Sequence, residues 1–177
     1  MLTGRLLVVL TCLAALGSSL IAGVFFAFSA IVMTALGRLP PHQGIAAMQS
    51  INIAVINPWF FAAFFGTAAA SAVLAIASLL RWGEPGAMLL LAGGGLYLVG
   101  SILVTMLCNV PLNDALAAAE AESIESAGLW KRYLVAWTAW NHVRTAASLA
   151  AAAAFLLALM KMIAAPGQSM RFLAAVM

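Results

Sequence analysis

LLVVLTCLAALGSSLIAGVFFAFSAIVMTAL, residues Leu6 to Leu36, is the stretch that decides the fold. It holds no charged residue and exceeds the ~20 apolar residues with which a helix crosses the hydrocarbon of a bilayer. It opens behind Arg5, and the small residues Ala14, Ala15, Gly17 and Ser18 give its first half the look of a cleavable signal. The second half argues otherwise. IAGVFFAFSAIVM (Ile21 to Met33) stays apolar well past the point where a short signal core stops, so the run reads as a retained transmembrane helix.

Working outward, the rest of the chain repeats the pattern. Of 177 residues, 66% are hydrophobic and 7% charged, against the ~25% charged of an ordinary soluble domain. A second run covers about 55–80 and opens at Asn57-Pro58, where proline suits a first helical turn because its missing N–H would have no partner there. A tight turn, Arg81 to Gly86, leads to a third run over about 87–107, whose Gly93-Gly94-Gly95 allows close helix approach in lipid. The fourth covers about 134–163 and carries an alanine tract, Ala150 to Ala154. The expectation is an all-α integral membrane four-helix bundle, a single membrane domain over 1–177 with spans at about 6–36, 55–80, 87–107 and 134–163.

Two longer loops, Gly37 to Ala54 and Asn109 to Tyr133, then fall on one side of the membrane, the second with an alanine-rich stretch of helical propensity. The other side carries Arg5, Arg81, Lys161 and Arg171 with only Glu84 as an acidic neighbour. By the positive-inside rule that side is cytoplasmic, which places both termini inside, both long loops outside, and the protein in the cell (inner) membrane. Arg38, Lys131 and Arg132 stand on the loop side with Asp114, Glu120, Glu122 and Glu125.

The net charge of +3 does not indicate nucleic acid, because the basic residues sit scattered at span ends and form no stripe along which a phosphate backbone could run. Cys12 and Cys108 show no metal-ligand or CxxC spacing and read as packing residues. With two histidines and no acidic residue inside any span, no metal site of the usual kinds is expected. The expected partners are the lipid bilayer and a hydrophobic small molecule, and a homo-oligomer is compatible with the pattern.

Polar side chains at membrane depth are costly unless partnered, so each is a functional candidate. Here they gather at one end of the bundle. Gln49, Asn52 and Asn57 precede or open the second span, Thr105, Asn109 and Asn113 end the third, and Trp137, Trp140, Asn141, His142 and Arg144 open the fourth. Helical spacing puts Trp137, Asn141, Arg144 and Ser148 on one stripe with Trp140 beside it, whereas His142 lies roughly 160° from Arg144. His142 and Arg144 therefore cannot both point straight at one small ligand, but His142 can still reach a pocket wall shared with the second or third helix. Each feature also has a plainer reading. Trp130, Trp137 and Trp140 have the character of an interfacial belt, Arg144 can snorkel to headgroups or pair with Asp114, asparagines can bond helix to helix, and His42 suits an exposed loop.

Four segments together resemble a known group: FFAFSAIVMTAL (Phe25 to Leu36), Asn57-Pro58-Trp59-Phe60, Asn109-Val-Pro111-Leu-Asn113, and Trp137-Thr-Ala-Trp140-Asn141-His142-Val-Arg144-Thr145. The chain resembles, over nearly its whole length, the anthrone oxygenase-like family of small membrane proteins. The resemblance implies a four-helix membrane protein, and for some fungal and bacterial members the oxidation of polyketide anthrones to anthraquinones. Three functional readings follow. The first is a metal-free oxygenase of flat phenolic substrates, with no cofactor, in which His142 is the base, Arg144 and Asn141 hold the developing oxyanion, and Gln49, Asn52, Asn57, Asn109, Asn113, Trp137 and Trp140 line the substrate. The second is a redox protein with haem on His142, alone or together with His42. The third is a non-catalytic lipid-binding or assembly protein whose polar cluster joins four helices.

Overall fold

The computed structural model describes residues 4–164, and Arg171 lies outside them. Among the described residues the chain is helical with no strand. Four helices are long and apolar enough to cross a membrane: α1 (Gly4–Leu36), α3 (Pro58–Leu80), α4 (Ala87–Ala117) and the last, α5 (Ile124–Ala164). Between the first two stands α2 (Pro41–Ala54), so most of the stretch expected as the first long loop is helix. Pro41 starts it, as a residue with fixed φ and no N–H can at a helix N-terminus. Asn57 caps α3 by accepting the Phe60 N–H at 3.0 Å, with Pro58 in the first turn.

The second loop shortens as well. α4 continues through Pro111 to Ala117, beyond the expected end at Leu107, and α5 begins at Ile124, ahead of the expected Leu134. With 41 residues α5 is roughly 60 Å long, about twice the ~30 Å hydrocarbon thickness. At one end it finishes beside the Arg81 turn, where Trp82, Glu84, Lys161 and Ala164 border the same hollow. Its excess length therefore projects at the other end, where α2 and the end of α4 pack on it.

Two apolar cores result. The larger, within the four spans, joins Leu7, Ile21, Phe64, Leu74, Tyr97 and Phe155. The second belongs to the projecting cap and joins Met33, Ile45, Met48, Leu116, Trp130 and Tyr133. Trp130 is thus buried against Tyr133, with ring centroids 5.6 Å apart, and is no part of an interfacial belt. The cap's outer surface is polar, with His42, Gln43, Ser50, Asp114, Glu120, Glu122, Glu125, Lys131 and Arg132 all exposed. Around the four spans the exposed side chains are instead Leu16, Leu20, Ile76, Leu80, Met88 and Met160. A surface of that kind is stable against lipid and not against water. Cys12 lies on it too, exposed to lipid and not packed inside the bundle. Trp59 and Trp140 mark one edge of this apolar band and Trp82 the other.

Candidate functional site

Between the two cores lies a polar layer, and three departures from regular α-helix surround it. Phe28–Val32 in α1, and Leu98–Leu103 and Thr105–Asn109 in α4, are π-helical. Such turns widen the helix and often accompany functional sites. Here they carry Ser29, Ser101, Thr105 and Asn109, all facing inward or part-buried.

Arg144 is the centre. It is 5% exposed, and its guanidinium carbon stands 4.2 Å from the centroid of Phe25 and 5.0 Å from that of Trp137, within the ~6 Å over which a ring face attracts a cation. Its Nη2 donates to Asn141 Oδ1 at 2.7 Å and its Nη1 to Thr105 Oγ1 at 3.1 Å. Among the described residues no carboxylate pairs with it, and Asp114 is exposed on the cap. Asn141, fully buried, uses its amide nitrogen twice, toward the Phe25 carbonyl and toward Ser29 Oγ, each at 2.6 Å. With its oxygen facing a guanidinium, the amide has one orientation only. Trp137, Asn141, Arg144 and Ser148 share a buried stripe, as their spacing requires.

The layer is not saturated. Arg144 Nε, Asn109 Oδ1 and Ser148 Oγ are buried without a partner, where most buried polar groups have one. Other candidate residues are tied into the fold. Gln49 Nε2 donates to the Leu116 and Ala119 carbonyls at 2.9 and 3.1 Å, closing the end of α4. Asn57 caps α3. Asn113 Oδ1 accepts from both the Tyr133 hydroxyl and Trp137 Nε1, each at 2.8 Å. Asn109 Nδ2 donates to the Trp137 carbonyl at 3.2 Å. Asn52 is part-buried in α2, beside the Tyr133 hydroxyl. Trp140, 42% exposed, faces the bilayer.

His142 is separated from this group. It is exposed, and it borders a groove of about 530 Å³ between α1 and α5, lined also by Met33, Thr34, Arg38, Leu134, Thr138 and Ser29. The expected single pocket holding His142, Asn141 and Arg144 is therefore two places that share one residue. Ser29 is 9% exposed, borders the groove on one side and bonds Asn141 on the other. Reading the sequence singled out neither Ser29 nor Arg38 as a site residue. Ser29 was visible as a hydroxyl within the first apolar run, but its direction depends on the π turn, for which the helical period gives no signal. His42 is exposed in the first turn of α2. Among the described residues no three His, Cys, Asp or Glu side chains come together as metal ligands do.

No curated protein and no solved structure shows significant similarity to this chain. The family model for anthrone oxygenase matches residues 59–154, which take in α3, α4 and the part of α5 bearing Trp137, Asn141, His142 and Arg144, while Ser29 and Arg38 lie before the match. More than half of the chain fits that model, and the polar layer and four spans are built largely from the matched helices: this protein is a member of the anthrone oxygenase family.

Proposed function

We propose that this protein is a membrane oxygenase that converts a flat, hydrophobic phenolic substrate of the anthrone type to the quinone, using the groove between α1 and α5. The observation that carries the reading is that a groove at the edge of the apolar band presents His142, Arg38, Thr138 and Ser29 together, in a chain of this family. The groove, of about 530 Å³, is shallow and open along one side, so a flat ligand would lie against it without being enclosed. A substrate dissolved in the bilayer reaches it sideways, without crossing the cap.

The substrate's own chemistry makes an added cofactor unnecessary. His142 takes a proton from the carbon between the rings, and the C–H electron pair delocalises to the ring oxygen as an enolate. This electron-rich carbon gives one electron to dioxygen, and the radical pair closes to a C–O bond, forming a peroxide anion. The proton returns from His142, and the hydroperoxide loses water to leave the carbonyl. One dioxygen is consumed, one of its atoms enters the product and the other leaves as water, and no reductant is used. Imidazole is the commonest general base in such transfers, contributing typically 10²–10⁴-fold. Arg38 supplies positive charge beside the enolate.

The test is dioxygen uptake by the detergent-purified protein with a hydroxyanthrone, corrected for spontaneous oxidation. We expect uptake equal to substrate lost, and a fall of roughly 10²–10⁴-fold in His142→Ala. Undiminished turnover in that variant would remove His142 as the base. The bonding of Gln49, Asn57 and Asn113 within the fold supports a second reading, a lipid-binding or assembly protein. Uptake no faster than the spontaneous reaction would favour it. The proposed orientation puts the cap outside the cell membrane and the Arg81 turn in the cytoplasm.

A further inference from the structure

Hydroxyls inside helices usually return to the carbonyl four residues earlier. Thr11, Ser19, Thr67, Thr105 and Thr145 all do so here, at 2.7 to 2.8 Å, whereas the buried hydroxyls of Ser18, Ser71 and Ser148 bond to nothing. Ser29 does neither. Its carbonyl four residues back, that of Phe25, takes Asn141 Nδ2, and the second hydrogen of the same nitrogen goes to Ser29 Oγ. The Ser29 oxygen is therefore an acceptor toward the interior. Among the described residues no acceptor takes its proton, and Ser29 is one of the residues that line the groove.

Taken in order, the donors form a chain. Arg144 Nη2 donates to Asn141 Oδ1, Asn141 Nδ2 donates to Ser29 Oγ, and the Ser29 hydroxyl is left to donate outward. Hydrogen bonds in series polarise one another, the more so at low dielectric. A hydroxyl that accepts from an amide which itself accepts from a guanidinium is a stronger donor than an isolated serine. The arrangement also gives an uncompensated buried arginine a use. A charge without a carboxylate partner is costly to bury, and this one is directed by two short bonds toward a groove where a negative charge would lie.

We propose that Ser29 is the group that binds the substrate's oxyanion, and that Asn141 and Arg144 are positioning residues that transmit the buried charge to it. The ligand class follows: a flat aromatic compound with an ionisable ring oxygen, its oxygen against α1 and its rings along Leu134 and Met33. This deepens the oxygenase reading and rests on the same groove, although its test needs no turnover.

The probe is 1,8-dihydroxyanthraquinone, whose visible spectrum changes when a phenol ionises, titrated with the full-length protein in detergent. Bound to the unaltered protein, its phenol should ionise at a pH lower than in empty micelles by about one unit, the scale of one net hydrogen bond to a charged group. Ser29→Ala should abolish most of that shift, and Ser29→Thr, which keeps the hydroxyl, should retain it. Arg144→Gln, checked for intact helicity, should lower the shift without abolishing binding. Binding with no shift, or a shift indifferent to Ser29→Ala, overturns the proposal and leaves the groove standing. No binding at all overturns the groove and this proposal together. A Ser29-dependent shift in a protein whose turnover ignores His142→Ala sustains this inference and removes only the base.

Discussion

Asn113 holds two donors with one oxygen. The Tyr133 hydroxyl and Trp137 Nε1 both end on its Oδ1 at 2.8 Å, and Tyr133 and Trp137 are buried on the cap side of the polar layer. Asn113→Leu matches the surroundings in polarity and is close in size, yet it strands both donors. A buried donor without an acceptor costs about 1–3 kcal/mol, so the variant should lose roughly twice that in unfolding free energy. Thermal or denaturant unfolding in detergent measures the loss, and a change below about 1 kcal/mol would mean that water reaches Tyr133 and Trp137. At this scale the sequence was partly readable. The spacing of Trp137, Asn141 and Arg144 determines that they share a face, and the same arithmetic separates His142 from Arg144, as the structure has it. The spacing could not say which face looks inward, nor that Gln49 and Asn57 would be consumed in closing helix ends. Those outcomes depend on which carbonyls lie nearby, and that is a property of the packed molecule.

The third apolar run carries three consecutive glycines that the sequence treats alike and the structure does not. A Cβ at Gly94 would sit 2.8 Å from the Ser71 carbonyl oxygen and 3.0 Å from the Ala75 Cβ, so α3 and α4 touch there through backbone. At Gly95 nothing lies within 4 Å. Gly94→Ala must push the two helices apart, a disturbance of the kind that costs about 1–3 kcal/mol in a close-packed interior. Gly95→Ala meets no obstacle and gains the ~0.8–1.0 kcal/mol by which alanine exceeds glycine in helix propensity. Neighbouring substitutions of identical chemistry should therefore shift the melting temperature in opposite directions, and equal shifts would contradict the α3–α4 contact. The long apolar runs were legible as helices because lipid imposes one solution on the backbone. α2 was not, since its 14 residues hold no membrane-length apolar run and include Gly44 within the helix. It is held by burying Ile45 and Met48 in the cap, with Gly44 admitting the Trp130 ring. Tertiary contact commonly outweighs propensity in so short a helix.

Across the whole molecule, the two ends differ in build more than in charge. One is a tight turn at Arg81 to Gly86 with the start of α1 and the end of α5 beside it; the other is a folded cap with its own core and a polar surface. Composition foretold a four-helix membrane protein with its longer segments on one side, but not that those segments condense into a cap. That follows from α5 being about twice as long as the bilayer is thick. The proposed orientation rests on the basic residues at the two ends, Arg5, Arg81 and Lys161 at the turn end and Arg38, Lys131 and Arg132 on the cap side. Lysine and arginine near span ends are retained in the cytoplasm, and the sequence sets Arg5, Arg81, Lys161 and Arg171 against Arg38, Lys131 and Arg132, a margin of one. Two exposed positions then discriminate the sides, His42 on the cap and Gly83 in the turn. In a chain with Cys12 and Cys108 replaced by alanine, His42→Cys should react with a membrane-impermeant maleimide in intact cells. Gly83→Cys should react only once the membrane is opened. The reverse pattern would turn the protein over, so that the groove beside the cap draws its substrate from the cytoplasmic leaflet.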